Sequence, residues 1–355
     1  MVKKYLMKGN EAMAEAALRA HCRHFFGYPI TPQTEVAAYM AKRMPKLGGT
    51  YLQAESEVAA INMVLGASAA GMRAMTSSSS PGISLKTEGI SYIAASDLPA
   101  LIVNVMRGGP GLGGIQPSQS DYWQATKAPG HGDAQVLVYA PSSVQEMVDL
   151  TIRAFETAER WRMPAMLLAD GMLGQMMEPV SVPDEVPLPP EKPWALTGTK
   201  GARKPNIVNS LYLTPSQLEQ IVKERFQRYE KVKAQEVLCE RYKLDDAQFV
   251  LVAYGATARI CKAAVDMARE KGIPVGMFRP ITLWPFPEKE LAALGGQVKS
   301  MLAVEMSMGQ MVDDVRLAVN GRCPVYFYGR TGGIIPTPAE IEGEIVKMAN
   351  RKEEA

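Results

Sequence analysis

The sequence predicts an α/β fold: a doubly wound parallel sheet followed by a smaller α/β unit. Three observations carry this. Short runs that are apolar throughout, at 100–106 and 165–169, read as strands buried on both faces. Helical patterns alternate with such runs through residues 1–180. A proline-rich stretch then interrupts the alternation, which resumes at Phe249.

The elements follow in order. Residues 8–20 carry a helical pattern, and 24–28 read as a strand entering a turn. A second helix covers 33–43, begun after Pro32, and a third covers 57–70, rich in Ala and Gly. The strand 74–77 empties into the loop 77–82. Between 178 and 205, Pro179, Pro183, Pro187, Pro189, Pro190, Pro193 and Pro205 exclude helix and central strand, leaving an extended connector. A helix from 215 to 242 follows, with Leu218, Ile221, Val222 and Phe226 along one face. The second unit opens at 249–255 and continues with helix 258–271 and strands at 274–278, Ser300–Glu305 and 325–328. The expected division is therefore 1–180, 181–245 and 246–355.

At 355 residues the chain can bury a large core. With 47% hydrophobic and 21% charged residues, its composition is that of a soluble globular protein. A formal net charge of +2 gives no reason to expect nucleic acid or an anionic membrane as partner. No apolar run reaches the roughly 18 residues that span a bilayer, and no signal-type apolar segment opens the chain, so a cytoplasmic protein is expected. The four cysteines, Cys22, Cys239, Cys261 and Cys323, are scattered and form no CxxC. If the chain serves redox chemistry, its electrons must leave through another subunit. The 22 methionines read as adaptable core filler.

Chemistry-bearing residues gather where apolar runs end, which in an open α/β sheet is the crevice that binds ligands. Tyr28-Pro29-Ile30-Thr31-Pro32, Glu55-Ser56-Glu57 and Arg107 supply a hydroxyl, a carboxylate and a guanidinium. Ser56 is placed to cap a helix that Glu57 opens, with a face running through Ala60, Ile61 and Val64. Glu55 stands about 200° away around that helix and must face elsewhere. A carboxylate on an apolar face is costly to bury without a partner; spacing alone favours a helix-dipole or capping role. Arg107 suits bidentate recognition of a carboxylate, with a structural ion pair as the alternative. The stretch 108–114 lacks both GK[ST] and GxGxxG, so it reads as a loop that folds tightly or moves. Residues 77–80 lack the GxSxG frame and read as a polar turn. His131 reads as a turn-stabilising residue, and three histidines without ligand spacing argue against a metal site. The small residues of 57–71 predict close approach of another backbone, across a subunit interface.

Together these segments resemble the 2-oxoacid:ferredoxin oxidoreductase family, in particular the subunit with the pyrimidine-binding domain for thiamine diphosphate. The resemblance is carried by Tyr28-Pro29-Ile30-Thr31-Pro32, Ser56-Glu57, Met106-Arg107-Gly108-Gly109-Pro110 and the Ala140–Glu146 segment APSSVQE. Asp170-Gly171 matches the family's end-of-domain strand, although the Asn-rich continuation of a thiamine-diphosphate metal motif is missing. The second unit resembles a transketolase C-terminal domain through Ala253-Tyr254-Gly255 and the motif FRPITLWPFP that begins at Phe278. The segment GGIQPSQSDY beginning at Gly113 looks like the branched-chain, 2-oxoisovalerate type.

The resemblance implies that Tyr28, Pro29, Ile30, Thr31 and Glu57 bind the cofactor. Glu57 would bond the aminopyrimidine ring and favour the tautomer that deprotonates the thiazolium. Thr31 and Arg107 would hold the carboxylate of a 2-oxoacid beside it, giving CoA-dependent oxidative decarboxylation with reduction of ferredoxin. It also implies that Mg2+ and the diphosphate are held by a partner subunit carrying an iron–sulfur cluster, with small ferredoxin-like and gamma-type subunits completing the complex. The competing readings are the same chemistry on 2-oxoglutarate or pyruvate, a non-redox thiamine-diphosphate lyase or transferase subunit, and a non-catalytic assembly subunit.

Overall fold

The computed structural model describes residues 3–184 and 186–351. Among the described residues, fourteen strands form three sheets. They are β1 (Tyr5–Lys8), β2 (His24–Gly27), β3 (Thr50–Gln53), β4 (Ala74–Ser78), β5 (Leu101–Met106), β6 (Leu137–Tyr139) and β7 (Ala165–Asp170), then β8 (Met177–Val180), β9 (Cys239–Tyr242), β10 (Phe249–Val252), β11 (Val275–Pro280), β12 (Thr282–Trp284), β13 (Ser300–Glu305) and β14 (Val325–Gly329).

The large sheet has the order β12-β6-β7-β5-β4-β2-β3, parallel throughout except for β12. Along β5, Ile102 and Met106 enter one apolar cluster while Leu101, Val103 and Val105 enter another. That alternation buries both faces, as a doubly wound parallel sheet requires. The helices Gly9–Arg19, Thr34–Arg43 and Val144–Trp161 cover one face, and Glu57–Ala69 and Thr87–Ala95 cover the other. The smaller sheet has the order β14-β13-β10-β11-β9, with only β9 antiparallel. Its helices Gly255–Glu270 and Pro338–Asn350 pack on one face. Its other face shares a core with the large sheet, where Tyr254, Phe278 and Val315 join Ile61, Tyr122 and Val138. β1 and β8 form a separate antiparallel pair.

The strands cross the expected divisions. β9 precedes residue 246 yet belongs to the smaller sheet, and β12 follows it yet closes the edge of the large one. The helix expected over 215–242 is Pro215–Gln235. It stops because Glu236 turns inward and is taken by Arg153, Arg160 and Trp161, after which Cys239–Tyr242 pairs with β11. Its buried residues are Tyr229 and Val232, whereas Leu218 and Phe226 are exposed. Within the chain the helix Glu57–Ala69 has a tight contact at Gly89, where a Cβ would collide with the Ile61 side chain, which is not the approach to its small residues across a subunit interface that was expected. Gly66 has open space instead, on a stripe with exposed Val58 and Asn62. Among the described residues no helix is long and apolar enough to cross a membrane.

Candidate active site at the rim of the large sheet

Strands β2, β4 and β5 are near neighbours, so the segments that leave their C-terminal ends share one rim. After β2 come Tyr28 and Pro29, both exposed, Ile30, half-buried, and Thr31, exposed. After β3, Ser56 caps the Glu57–Ala69 helix, its side chain accepting from the Ala59 N–H at 3.1 Å, as the spacing predicted. Glu57 is then buried, at 6% exposure, while Glu55 is exposed. The Glu57 carboxylate lies over the α-carbon of Gly82, with Oε1 only 2.8 Å from where a Cβ would stand. Any other residue at position 82 would collide with it and with the Ser78 hydroxyl.

Arg107, at the end of β5, is 7% exposed. Its guanidinium donates to the Thr31 carbonyl at 3.0 Å and to the Leu112 carbonyl at 3.3 Å. The structure thus brings Arg107 and Thr31 together, through the Thr31 main chain. Two of the five guanidinium N–H groups are used in this way, and Nε is buried with no partner. The glycine-rich loop folds tightly. Gly108 donates to Gln116, Gly114 donates to Gly108, and Gly113 has a positive φ of 57° against the Gly108 carbonyl, where no side chain fits. A cleft of about 630 Å³ faces this loop, between Ser80, Asp121, Gln124, Met308 and Gln310; Tyr28, Thr31 and Glu57 lie outside it.

The serine loop is the hub that the sequence reading treated as a plain polar turn. Ser77 donates to Gln33 at 2.6 Å, tying the loop to the Tyr28–Pro32 segment. Gly82 lies against both the Ser78 hydroxyl and the Glu57 carboxylate. The Ser80 hydroxyl donates to Asp121 at 2.6 Å and accepts the Arg107 N–H at 3.0 Å. Ser80 holds a φ of 24°, a conformation that costs on the order of 1–3 kcal/mol. Its own N–H donates to Asn104 at 3.1 Å, and Asn104 also donates to Asp121 at 2.9 Å, so the network over-determines the turn. Burial pushes the Asp121 carboxyl up, against the pull of Ser80 and Asn104. A lone Asn inside the apolar run of β5, and four serines leading into Pro-Gly, were the signals available for finding this hub.

Gln119 locks the rim to the smaller sheet. Its side chain donates to Tyr254 at 2.9 Å and accepts from Thr257 at 2.6 Å and from the Met306 N–H at 3.0 Å. Asp170 caps Met172 and Leu173 and accepts from Ala256, and burial pushes its carboxyl up to about 6. It is a structural cap. His131 accepts or donates at Ser91, 2.9 Å away, and meets the edge of Tyr92. The cysteines are all free, and burial pushes the Cys22 thiol up to about 12.

The donor set suits a heteroaromatic cofactor and a small anion. Glu57 offers a carboxylate that no described residue engages by hydrogen bond or ion pair, while Ser78, Ser79 and Arg107 Nε are buried polar groups without partners.

The comparisons accord with this geometry. Residues 15–239 match the family model described as pyruvate flavodoxin/ferredoxin oxidoreductase, thiamine diphosphate-binding, and 247–341 match pyruvate:ferredoxin oxidoreductase core domain II. The ketoisovalerate oxidoreductase subunit VorB of Methanothermobacter thermautotrophicus is 48% identical over 92% of this chain and 93% of its own length. The 2-oxoglutarate synthase subunit KorA of the same organism is 37% identical over 98% of this chain and all of its own length. A solved 2-oxoglutarate:ferredoxin oxidoreductase from Magnetococcus marinus superposes with a TM-score of 0.88 at 27% identity, covering 98% of this chain. This chain spans about two thirds, 65%, of that solved chain. A split-gene transketolase, at TM-score 0.59 and 12% identity, shares the fold alone. Coverage on this scale, with the rim inside the matched segment, means that the chain belongs to the 2-oxoacid:ferredoxin oxidoreductase family, as one of its thiamine-diphosphate-binding subunits.

Proposed function

We propose that this chain supplies the pyrimidine-facing half of an active site that decarboxylates a branched 2-oxoacid of the 2-oxoisovalerate type to its acyl-CoA, reducing ferredoxin. The single observation that carries the reading is the pairing of a buried, unengaged Glu57 with Arg107 on one rim. The 47–48% identity to two ketoisovalerate oxidoreductase subunits favours the branched substrate. Thiamine diphosphate, when bound, supplies the carbanion chemistry and the electron sink.

The chain's own residues do the rest. Glu57 holds a proton between its carboxylate and a ring nitrogen, in a site shielded from water where such sharing is strong. Tyr28, Pro29, Ile30 and Thr31 form the wall beside it. Arg107, anchored at Thr31 and Leu112, presents its remaining N–H groups to the substrate carboxylate and fixes the reacting carbonyl. No group of three His, Cys, Asp or Glu gathers among the described residues. The family resemblance assigns Mg2+, the diphosphate and the iron–sulfur clusters to partner subunits, with ferredoxin and CoA as further partners and the cytoplasm as location.

The test is co-expression with the partner subunits and steady-state kinetics on several 2-oxoacids. Arg107→Lys keeps the charge but loses the planar fork. KM for 2-oxoisovalerate, pyruvate and 2-oxoglutarate should rise by similar factors, roughly 10- to 150-fold. A loss confined to one of them would move Arg107 into the side-chain pocket.

A further inference from the structure

Lys86 stands in the turn between the Pro81–Ser84 and Thr87–Ala95 helices and is fully buried. Its Nζ is shut from solvent and has no hydrogen-bond partner. Lysine is almost never buried in this way unless paired. Arg73 and Arg279 obey that rule, Arg73 pairing with Glu159 and Arg279 with Glu146 and Glu240, whereas Arg107 at the rim meets only main-chain carbonyls. Lys86 has one opposite charge acting on it, the carboxylate of Glu57.

The local packing makes that relation fixed. The Glu57–Ala69 and Thr87–Ala95 helices meet where Gly89 leaves no room for a Cβ beside Ile61. The Glu57 carboxylate lies over Gly82, one short helix before Lys86 in the chain. Acid and base are thus carried on two helices locked together at Ile61 and Gly89.

We propose that Lys86 is a positioning residue for Glu57, its buried ammonium serving as the charge partner that fixes where the carboxylate presents itself to a ring N–H of the bound cofactor. The proposal rests on the reading of Glu57 given above. Burial alone disfavours a carboxylate's charge, and an opposite charge nearby restores it. Lys86 can do this without occupying either carboxylate oxygen, which a direct ion pair would. Burial lowers the ammonium to about 8, with Glu57 working against that fall, so the charge is present at neutral pH and lost as pH rises through 8. Among the described residues no second ionisable group acts on it.

The experiment is a double-mutant cycle on the assembled complex, read as the Kd of thiamine diphosphate by equilibrium dialysis. Lys86→Met should weaken binding roughly tenfold in the native background and leave it unchanged in a Glu57→Gln background. Binding to the native complex should weaken above pH 8, and that limb should vanish in Lys86→Met. Equal losses in both backgrounds would overturn the proposal, because a packing role is indifferent to Glu57; so would no loss in either. Lys86→Gln, which keeps a polar head without charge, gives the same reading if the methionine variant does not assemble. Native turnover in Glu57→Gln would overturn the Glu57 reading itself, and the proposal with it.

Discussion

Arg279 and Lys86 are both buried cations near glutamates, and the chain treats them in opposite ways. Arg279, on β11, is 2% exposed and closes every contact within reach. It donates to Glu240 at 2.7 Å and to the two oxygens of Glu146 at 2.6 and 2.9 Å, binding the Val144–Trp161 helix to the smaller sheet. Burial works to raise the Glu146 carboxyl, but its bonds to Arg279 prevail and hold it below the usual range. Glu305 is equally provided for, accepting from Ser307 and from the N–H groups of Gln310, Met311 and Val312. At the rim, by contrast, Lys86 Nζ, Arg107 Nε and the Ser78 and Ser79 hydroxyls are buried and unpaired. Each such group costs about 1–3 kcal/mol. Arg279 and Glu305 are saturated and Lys86 and Arg107 are left with capacity for a visitor, although Arg153 and Arg228, which pair with Glu236 and Asp97, also keep a buried Nε without a partner.

Three measurements sharpen or break that contrast. Glu57→Gln keeps the shape but cannot share a proton, so turnover of the assembled complex should fall about 10²- to 10⁴-fold, while Glu55→Gln stays near native. Ferredoxin reduction reads both, and equal losses would place the critical carboxylate on the wrong side of the helix. Arg279→Met strands two carboxylates and should cost about 3–5 kcal/mol in denaturant unfolding. Lys86→Met should cost nothing there; a matching loss would make Lys86 a member of the saturated set.

A pH-dependent effect concerns Asp170, whose carboxyl is raised in the folded chain from 3.8 to about 6. Between those values the folded state holds a proton that the unfolded state has released, so stability declines as pH rises from 4 to 6. Two pK units correspond to about 3 kcal/mol. Asp170→Asn should lose that slope in unfolding measured across the interval, and a slope retained would trace it to another group.

Much of the rim was legible in the sequence because it depends on short-range rules. Ser56 before Glu57, with Ala60, Ile61 and Val64 behind, sets the helix phase and hence which glutamate turns inward. Arg107 at the end of an apolar run could only emerge at the strand's C-terminal edge. The serine hub was not legible, since Ser77 and Ser80 acquire meaning from Gln33 and Asp121, which are distant in the chain. Lys86 was missed for the same reason: one lysine between two short helices carries no periodic sign of burial. The end of the Pro215–Gln235 helix was misread because Glu236 is claimed by Arg153 and Arg160, more than seventy residues earlier. The short β12, ahead of Pro285, has too few residues to show a strand pattern.

That three-residue strand has a consequence for how the chain could be divided. β12 arrives from beyond residue 246 and lies antiparallel on β6, covering what would otherwise be a bare edge of the large sheet. An unpaired edge is a template for self-association. Expressed without its second half, the first unit would present Val138 and Tyr139 as an open docking strand, tending to clump with its own copies. The two halves are thus coupled as insulation as well as through their shared core: β12 covers the β6 edge, and a fragment ending near residue 245 would need a substitute strand there.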